Sequence, residues 1–266
     1  MKTAEIDTSN LNALRRIHCA ANSLLSHVGK WSTTIVAVVM VAFSFLTSSG
    51  IGQEQKKLDA TGAALVEFHV ALLKRGPKSS PNGMPKEVES AHVANVISLL
   101  ESGKAIIGGP LGDEGEISGI YILRAKSAAE ATDWAESDPA VKSGNLVAEM
   151  HPWWSADIMK RPSTPLKLTT AYLGFLTRGV NWTPEETVAT EELQSAHLAN
   201  IKRLIETGKL VIAGPFGDNT VLRGMFVFKV SSLEEAMELA KTDPAVKAGR
   251  LAIEMHPWQI PEGVLP

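Results

Sequence analysis

The chain has 266 residues, 44% hydrophobic and 21% charged, a composition ordinary for one or two globular domains. A formal net charge of -3 with no clustered Lys/Arg stripe argues against a nucleic-acid-binding protein. The single cysteine, Cys19, precedes everything that reads as folded domain, so disulfides, zinc thiolate sites and cysteine nucleophiles are excluded from the domains themselves.

Residues 1–53 read as a signal peptide or membrane anchor. Residues 35–46 (IVAVVMVAFSFL) form an apolar run of about 12, within the ~7–15 of a signal-peptide core and short of the ~20 that span a bilayer. Arg15, Arg16 and Lys30 precede it and small residues follow, so cleavage near Gly50 or Gly52 is one expectation. The other is an uncleaved anchor, the charge-free run 31–53 attaching the chain to a membrane. Positive charge ahead of the run places the remainder outside the cytoplasm in either case, periplasmic or extracellular.

Residues 65–73 (LVEFHVALL) are apolar and stop at Lys74-Arg75-Gly76-Pro77, which reads as a strand and a turn. Residues 87–102 read as a helix stopped by Gly103. Residues 105–109 (AIIGG) and 119–123 (GIYIL) read as short strands joined by a loop. A second helix starts at Ser127, with Glu130 at capping-box spacing, and ends near Asp138-Pro139. A last strand over 146–150 runs into His151-Pro152-Trp153.

The pattern then repeats. An offset of 105 carries His92 onto His197, Gly109-Pro110 onto Gly214-Pro215, Asp113 onto Asp218 and Asp138-Pro139 onto Asp243-Pro244. The same offset carries the run from Glu149 to Trp153 onto the run from Glu254 to Trp258, and roughly half the positions over 91–153 are identical to their partners. Two modules follow, 60–156 and 166–259, joined by a short Pro-containing linker over 157–165 that keeps them adjacent. The order β-α-β-β-α-β is the ferredoxin-like plan, an α+β class. Its helices cover one sheet face and leave the other apolar. Two such sheets packed face to face make an intramolecular α/β barrel, and further homo-oligomerisation is compatible with it.

The segments AHLANIKRLIETGKLVIAGPFGD and SSLEEAMELAKTDPAVKAGRLAIEMHPW, with AHVANVISLLESGKAIIGGPLGD and DPAVKSGNLVAEMHPW in the first copy, strongly resemble the YciI-like (YCII-related) proteins. The resemblance covers about residues 60–156 and 166–259 and rests on the A-H-x-A helix, the G-P turn, D-P and H-P-W as a set. It implies a dimeric α/β-barrel fold and small-molecule enzymes of dehydrochlorinase-like or isomerase-like type, alongside relatives of no known activity. It also implies an active dyad of the first-helix histidine with the aspartate after the G-P turn: His92 with Asp113, and His197 with Asp218. The leader is a departure, because typical relatives are short and cytoplasmic.

Each candidate has a plainer reading beside the functional one. His92 and His197 fall on the apolar stripe of their helices, as bases or as satisfied core histidines. Asp113 and Asp218 sit in Gly-containing loops, where aspartate also stabilises turns. Asp138 and Asp243, each before a proline, read as helix N-caps. Arg75 and Arg178 suit a substrate carboxylate, with a surface ion pair as the duller and favoured alternative. Glu149 with His151, and Glu254 with His256, share a strand face and suit acid–base work, but two ligands per module are too few for a closed metal site. Trp153 and Trp258 are read as sealing the barrel or the interface between copies. The residues thus point to a cofactor-free, metal-free His/Asp acid–base enzyme acting on a small organic substrate. The alternatives are a non-catalytic small-molecule-binding barrel and a purely structural duplication.

Overall fold

A computed structural model describes residues 57–163 and 165–266. The leader, with its expected cleavage site or anchor, lies outside the described residues. Among the described residues no helix is long and apolar enough to cross a membrane. The first module runs β1 (Leu65–Arg75), α1 (Lys86–Glu101), β2 (Ala105–Pro110), β3 (Ile117–Leu123), α2 (Ala128–Glu136), α3 (Pro139–Lys142) and β4 (Leu146–Ala156). The second repeats it as β5 (Leu168–Arg178), α4 (Val188–Glu206), β6 (Leu210–Pro215), β7 (Leu222–Phe228), α5 (Leu233–Ala240), α6 (Pro244–Lys247) and β8 (Leu251–Pro261). The sheets have the order β2-β3-β1-β4 and β6-β7-β5-β8, with every neighbour antiparallel. This is the ferredoxin-like plan with one added helical turn, α3 or α6, before the last strand.

Local chemistry sets the element ends. Gly103 and Gly208 follow α1 and α4 with φ of 73° and 69°, a backbone that favours glycine. Ser127 and Ser232 cap α2 and α5 by accepting from the backbone N–H of Glu130 and Glu235. β4 continues through His151-Pro152-Trp153 to Ala156, beyond the stop expected near Met150, with Pro152 opposite His69. The proline gives up one donor, but its carbonyl is used, accepting from Gly217 N–H of the other module at 2.8 Å.

Strand alternation divides the core. Ala71 and Leu73 of β1 pack under the helices, while Phe68, Val70 and Leu72 face the second sheet. There they meet Leu173, Phe175, Met225 and Val227 in one core shared by both modules. The two sheets therefore face each other as an α/β barrel.

The seam between the modules explains the Gly-Pro motif. β2 lies against β8 and β6 against β4, with bridges Leu111–Trp258 and Trp153–Phe216. A Cβ on Gly109 would sit 1.8 Å from the carbonyl oxygen of Gln259, and one on Gly214 would sit 1.9 Å from that of Trp154. Only glycine permits the approach. Fully buried Trp153 donates its indole N–H to the Gly214 carbonyl at 3.0 Å, and Trp258 donates to Gly109 at 3.2 Å. Both tryptophans thus hold the seam between the copies.

Candidate functional site

Each module holds a histidine–aspartate pair between its first helix and the turn before its last strand. Asp138 N-caps α3, with Pro139 at the first helical position, and its Oδ1 accepts from Ala140 N–H at 2.8 Å. The same carboxylate, fully buried, takes His92 Nδ1 at 2.9 Å, the Tyr121 hydroxyl at 2.7 Å and Asn95 Nδ2 at 2.9 Å. Burial alone would raise the Asp138 carboxyl, and the bonds from His92, Tyr121 and Ala140 outweigh it, holding the group below its ordinary value. Burial, reinforced by the Asp138 charge, pushes the Tyr121 phenol well up.

The second module repeats the pair with one atom missing. Asp243 caps α6 through Ala245 N–H at 2.8 Å and takes His197 Nδ1 at 2.7 Å. Phe226 occupies the position of Tyr121 and stacks on His197 at 6.2 Å, but brings no hydroxyl. Asn200 Nδ2 is 3.5 Å from Asp243, so His197 is the principal side-chain partner. A carboxylate only accepts, so Nδ1 of His197 donates to it, and Nε2 has no protein partner among the described residues.

The expected pairings of His92 with Asp113 and of His197 with Asp218 do not form. Asp113 reaches His256 Nδ1 at 2.7 Å, and Asp218 reaches His151 Nδ1 at 2.6 Å, each in the other module. The reason is the seam. The β2–β3 and β6–β7 loops cross it, and Gly112 and Gly217 donate to the carbonyls of Pro257 and Pro152 at 2.7 and 2.8 Å. Asp113 and Asp218 are therefore carried away from the helix histidine of their own module. Glu149 also bonds His151 Nε2 at 2.9 Å and Lys74 at 2.7 Å, and the Lys74 bond holds its carboxyl below the usual range. Between the two clusters the rings of His151, Phe216, Phe175 and His256 follow one another at 5.6, 6.5 and 5.7 Å.

The helix-facing pair of the second module opens on a cavity of about 450 Å³. His197, Ile201 and Ile205 of α4 form one wall, Leu176 and Phe226 of the sheet another, and Leu65 and Ala156 of the first module close a side. Arg223 and Trp182 line the same space.

The two arginines expected to bind substrate differ. Arg75 borders a smaller hollow with Ser79, Ser118 and Asn145. Arg178 donates to the Asn219 side chain at 2.6 Å and lies 5.5 Å from the Trp182 ring. Neither forms an ion pair among the described residues.

What sequence reasoning missed is the second use of Asp138 and Asp243. The N-cap reading holds, and the same carboxylates are the histidine partners. The 46-residue separation of histidine and aspartate in both copies was no signal, because a gapless repeat keeps His92 and Asp113 equally in step with His197 and Asp218.

The fold and the repeated pairs define a two-module α/β-barrel protein with a helix histidine bonded to a buried aspartate in each module. The chain belongs to the YCII-related domain family, whose model matches residues 53–153 and 180–259. It is 33% identical over 78 residues to the uncharacterized protein YjpA of Bacillus subtilis (strain 168), covering 28% of this chain and 89% of that one. Among solved structures it is similar to a chlorite dismutase variant from Candidatus Nitrospira defluvii, at 13% identity, covering 74% of this chain and 90% of that one with a TM-score of 0.49. A heme-binding protein from Thermus thermophilus is similar at 13% identity, 74% and 92% coverage and a TM-score of 0.45.

Proposed function

We propose that the second module binds a small organic molecule in the His197 cavity and moves a proton on it, as an isomerase or an eliminating lyase without a cofactor. The observation that carries this reading is His197 in the cavity wall with Nδ1 tied to the buried Asp243 carboxylate. That bond fixes the tautomer and turns Nε2 into a base. Nε2 takes a proton from carbon beside a carbonyl, and the electron pair moves into the carbonyl as an enolate. With a β,γ double bond the enolate is a dienolate, and the imidazolium, steadied by Asp243, returns the proton to its γ-carbon in isomerisation. With a leaving group on the β-carbon the enolate expels it in elimination, and the imidazolium gives its proton to that group or to water. Asp243 is a positioning residue. His92 is the equivalent base of the first module, where Tyr121 and Asn95 share its aspartate. Asp113 and Asp218 act in this reading as ties between modules. The apolar run 35–46 and the charges before it support export of the folded part, with or without a retained anchor.

The test is solvent-deuterium exchange by NMR across small enolisable carbonyl and phenolic compounds. His197→Ala is expected to lower exchange by about 10²–10⁴-fold, the usual worth of a positioned base, with an unchanged circular dichroism spectrum. Binding in the cavity with no exchange, weakened by His197→Ala, supports the non-catalytic binding module instead.

A further inference from the structure

Three guanidinium groups stand around the indole of Trp182, a residue that lines the cavity together with one of the three, Arg223. The Trp182 centroid is 5.5 Å from Arg178, 4.8 Å from Arg223 and 4.7 Å from Arg250. Any two of these charges are thus within about 10 Å, the order of the screening length at physiological salt. Among the described residues none of the three is within ion-pair distance of a carboxylate. Arg178 donates to Asn219 and Arg250 to Thr183 Oγ1 at 3.1 Å, both neutral acceptors, and the buried Nε of Arg178 has no partner. Asp218, whose charge reaches Arg223, is engaged by His151 and Thr220. Asp59, on the cavity wall, accepts from Thr61 and Ala63 in its own turn.

From this arrangement we infer that the ligand of the His197 cavity is an organic anion whose charged group is held by Arg223 with Arg178 and Arg250. The inference rests on the functional reading above and names its substrate class. Unneutralised cations brought together at a half-buried site repel one another and lose hydration, and a carboxylate or phosphate ester offsets both while accepting fork-like bonds. The Arg223 guanidinium is held below its usual value, by burial first and then by Arg178 and Arg250. The backbone aims it. Leu176 pairs with Gly224 and Thr177 with Leu222, so Arg223 is the extra residue of a β-bulge, a device that redirects a side chain. Arg223 and Trp182 share the cavity with His197, whose walls are otherwise largely apolar. The ligand is therefore an acid with a compact aliphatic or aromatic body.

The internal repeat supplies a control. At the matching positions the first module has Ser118 for Arg223, Asn145 for Arg250 and Ser79 for Trp182, and only Arg75 answers Arg178. The copies differ where the anion would sit, so the cluster is not a requirement of the fold.

Calorimetric titration of the full chain with benzoate and phenyl phosphate, against neutral benzamide, tests the inference. At least one anion is expected to bind tenfold or more tightly than benzamide. Arg223→Gln and Arg250→Gln, checked for folding by circular dichroism, are expected to remove that preference, and added salt to weaken it. Lys202→Gln, an exposed charge on the same module, is expected to leave it intact. Equal binding of benzamide and both anions, no anion binding at millimolar concentration, or anion binding indifferent to both arginine variants overturns the inference. The functional reading fails separately. His197-dependent exchange without anion preference sinks only the anion clamp, whereas arginine-dependent anion binding with exchange untouched by His197→Ala sinks only the base.

Discussion

Tyr121 and Phe226 are the sharpest difference between the two histidine–aspartate pairs, and one oxygen atom can be moved between them. Tyr121→Phe removes a 2.7 Å bond from a fully buried hydroxyl to a fully buried carboxylate. A bond to a charged acceptor is worth about 1.5–3 kcal/mol net. Asp138 keeps His92, Asn95 and the Ala140 N–H, and phenylalanine fills the ring volume, so the low end applies, about 1.5 kcal/mol. At ~2–4 °C per kcal/mol for a chain of this size, Tm falls by about 3–6 °C. Phe226→Tyr supplies the missing donor to Asp243 and is expected to raise Tm by a similar amount. The acid limb checks the cause. The Asp138 carboxyl is held below its ordinary value, so its contribution is present above that ordinary value and lost as pH falls through the lowered one. Losing the tyrosine bond moves the folded value upward, so Tyr121→Phe begins acid unfolding at higher pH. The gap from the parent closes once both carboxyls are protonated. Calorimetric scans over a pH series measure this. A neutral-pH shift within about 1 °C, or a gap that persists unchanged into acid, refutes the assignment of the bond to stability.

Two further outcomes concern the seam. Gly214→Ala sets a Cβ 1.9 Å from a backbone oxygen that no side-chain rotation can clear, and also crowds the Trp153 indole nitrogen at 3.1 Å. A loss of about 3 kcal/mol or more in urea unfolding is expected, and stability within ~0.5 kcal/mol of the parent would mean the strands do not meet there. For the cross-module pair, Asp218→Ala and His151→Ala are expected to couple by about 1–3 kcal/mol in a double-mutant cycle. Additivity to within ~0.5 kcal/mol would remove the 2.6 Å contact as a tie between modules.

Much of the fold was legible because it was written twice. A constant offset from His92 through Trp258 divided the chain, and the β-α-β-β-α-β order implied two sheet faces, one for helices and one for a second sheet. The glycines at 103 and 208 marked helix ends by their own backbone requirement. The partners of Asp113 and Asp218 were not legible. Which histidine each meets depends on where the β2–β3 and β6–β7 loops land, and that is set by strands of the other module approaching Gly109 and Gly214. The motif Gly-Pro could be seen, but the backbone oxygen that forbids a Cβ there is distant in sequence. Asp138 and Asp243 were hidden for a different reason. An N-cap explains an Asp-Pro pair so fully that nothing local asks for a second role, yet a cap uses one oxygen and leaves the other for the ring. The arginine cluster needed the bulge at Arg223 and the strand ends at Arg178 and Arg250, which lie far apart along the chain.

Fusion of the two halves also changes what each can become. In a symmetric dimer of one module every substitution falls on both sides of the barrel at once. Here the residues the copies keep are largely those the shared frame demands: Gly109 and Gly214, Trp153 and Trp258 at the seam, Asp113 and Asp218 reaching across it, and the aspartates that cap and hold the helix histidines. Differences gather where the frame is indifferent. Tyr121 answers Phe226, Ser118 answers Arg223, Asn145 answers Arg250 and Ser79 answers Trp182, all beside the same face of the sheet. Inside the barrel Leu72 and Leu111 answer Phe175 and Phe216, which place rings between the two buried histidines on one side only. A seam that needs both halves and a cavity that needs one let the first module serve mainly as the wall against which the second builds its site. Leu65 and Ala156, first-module residues that close the His197 cavity, are the contact through which it does so.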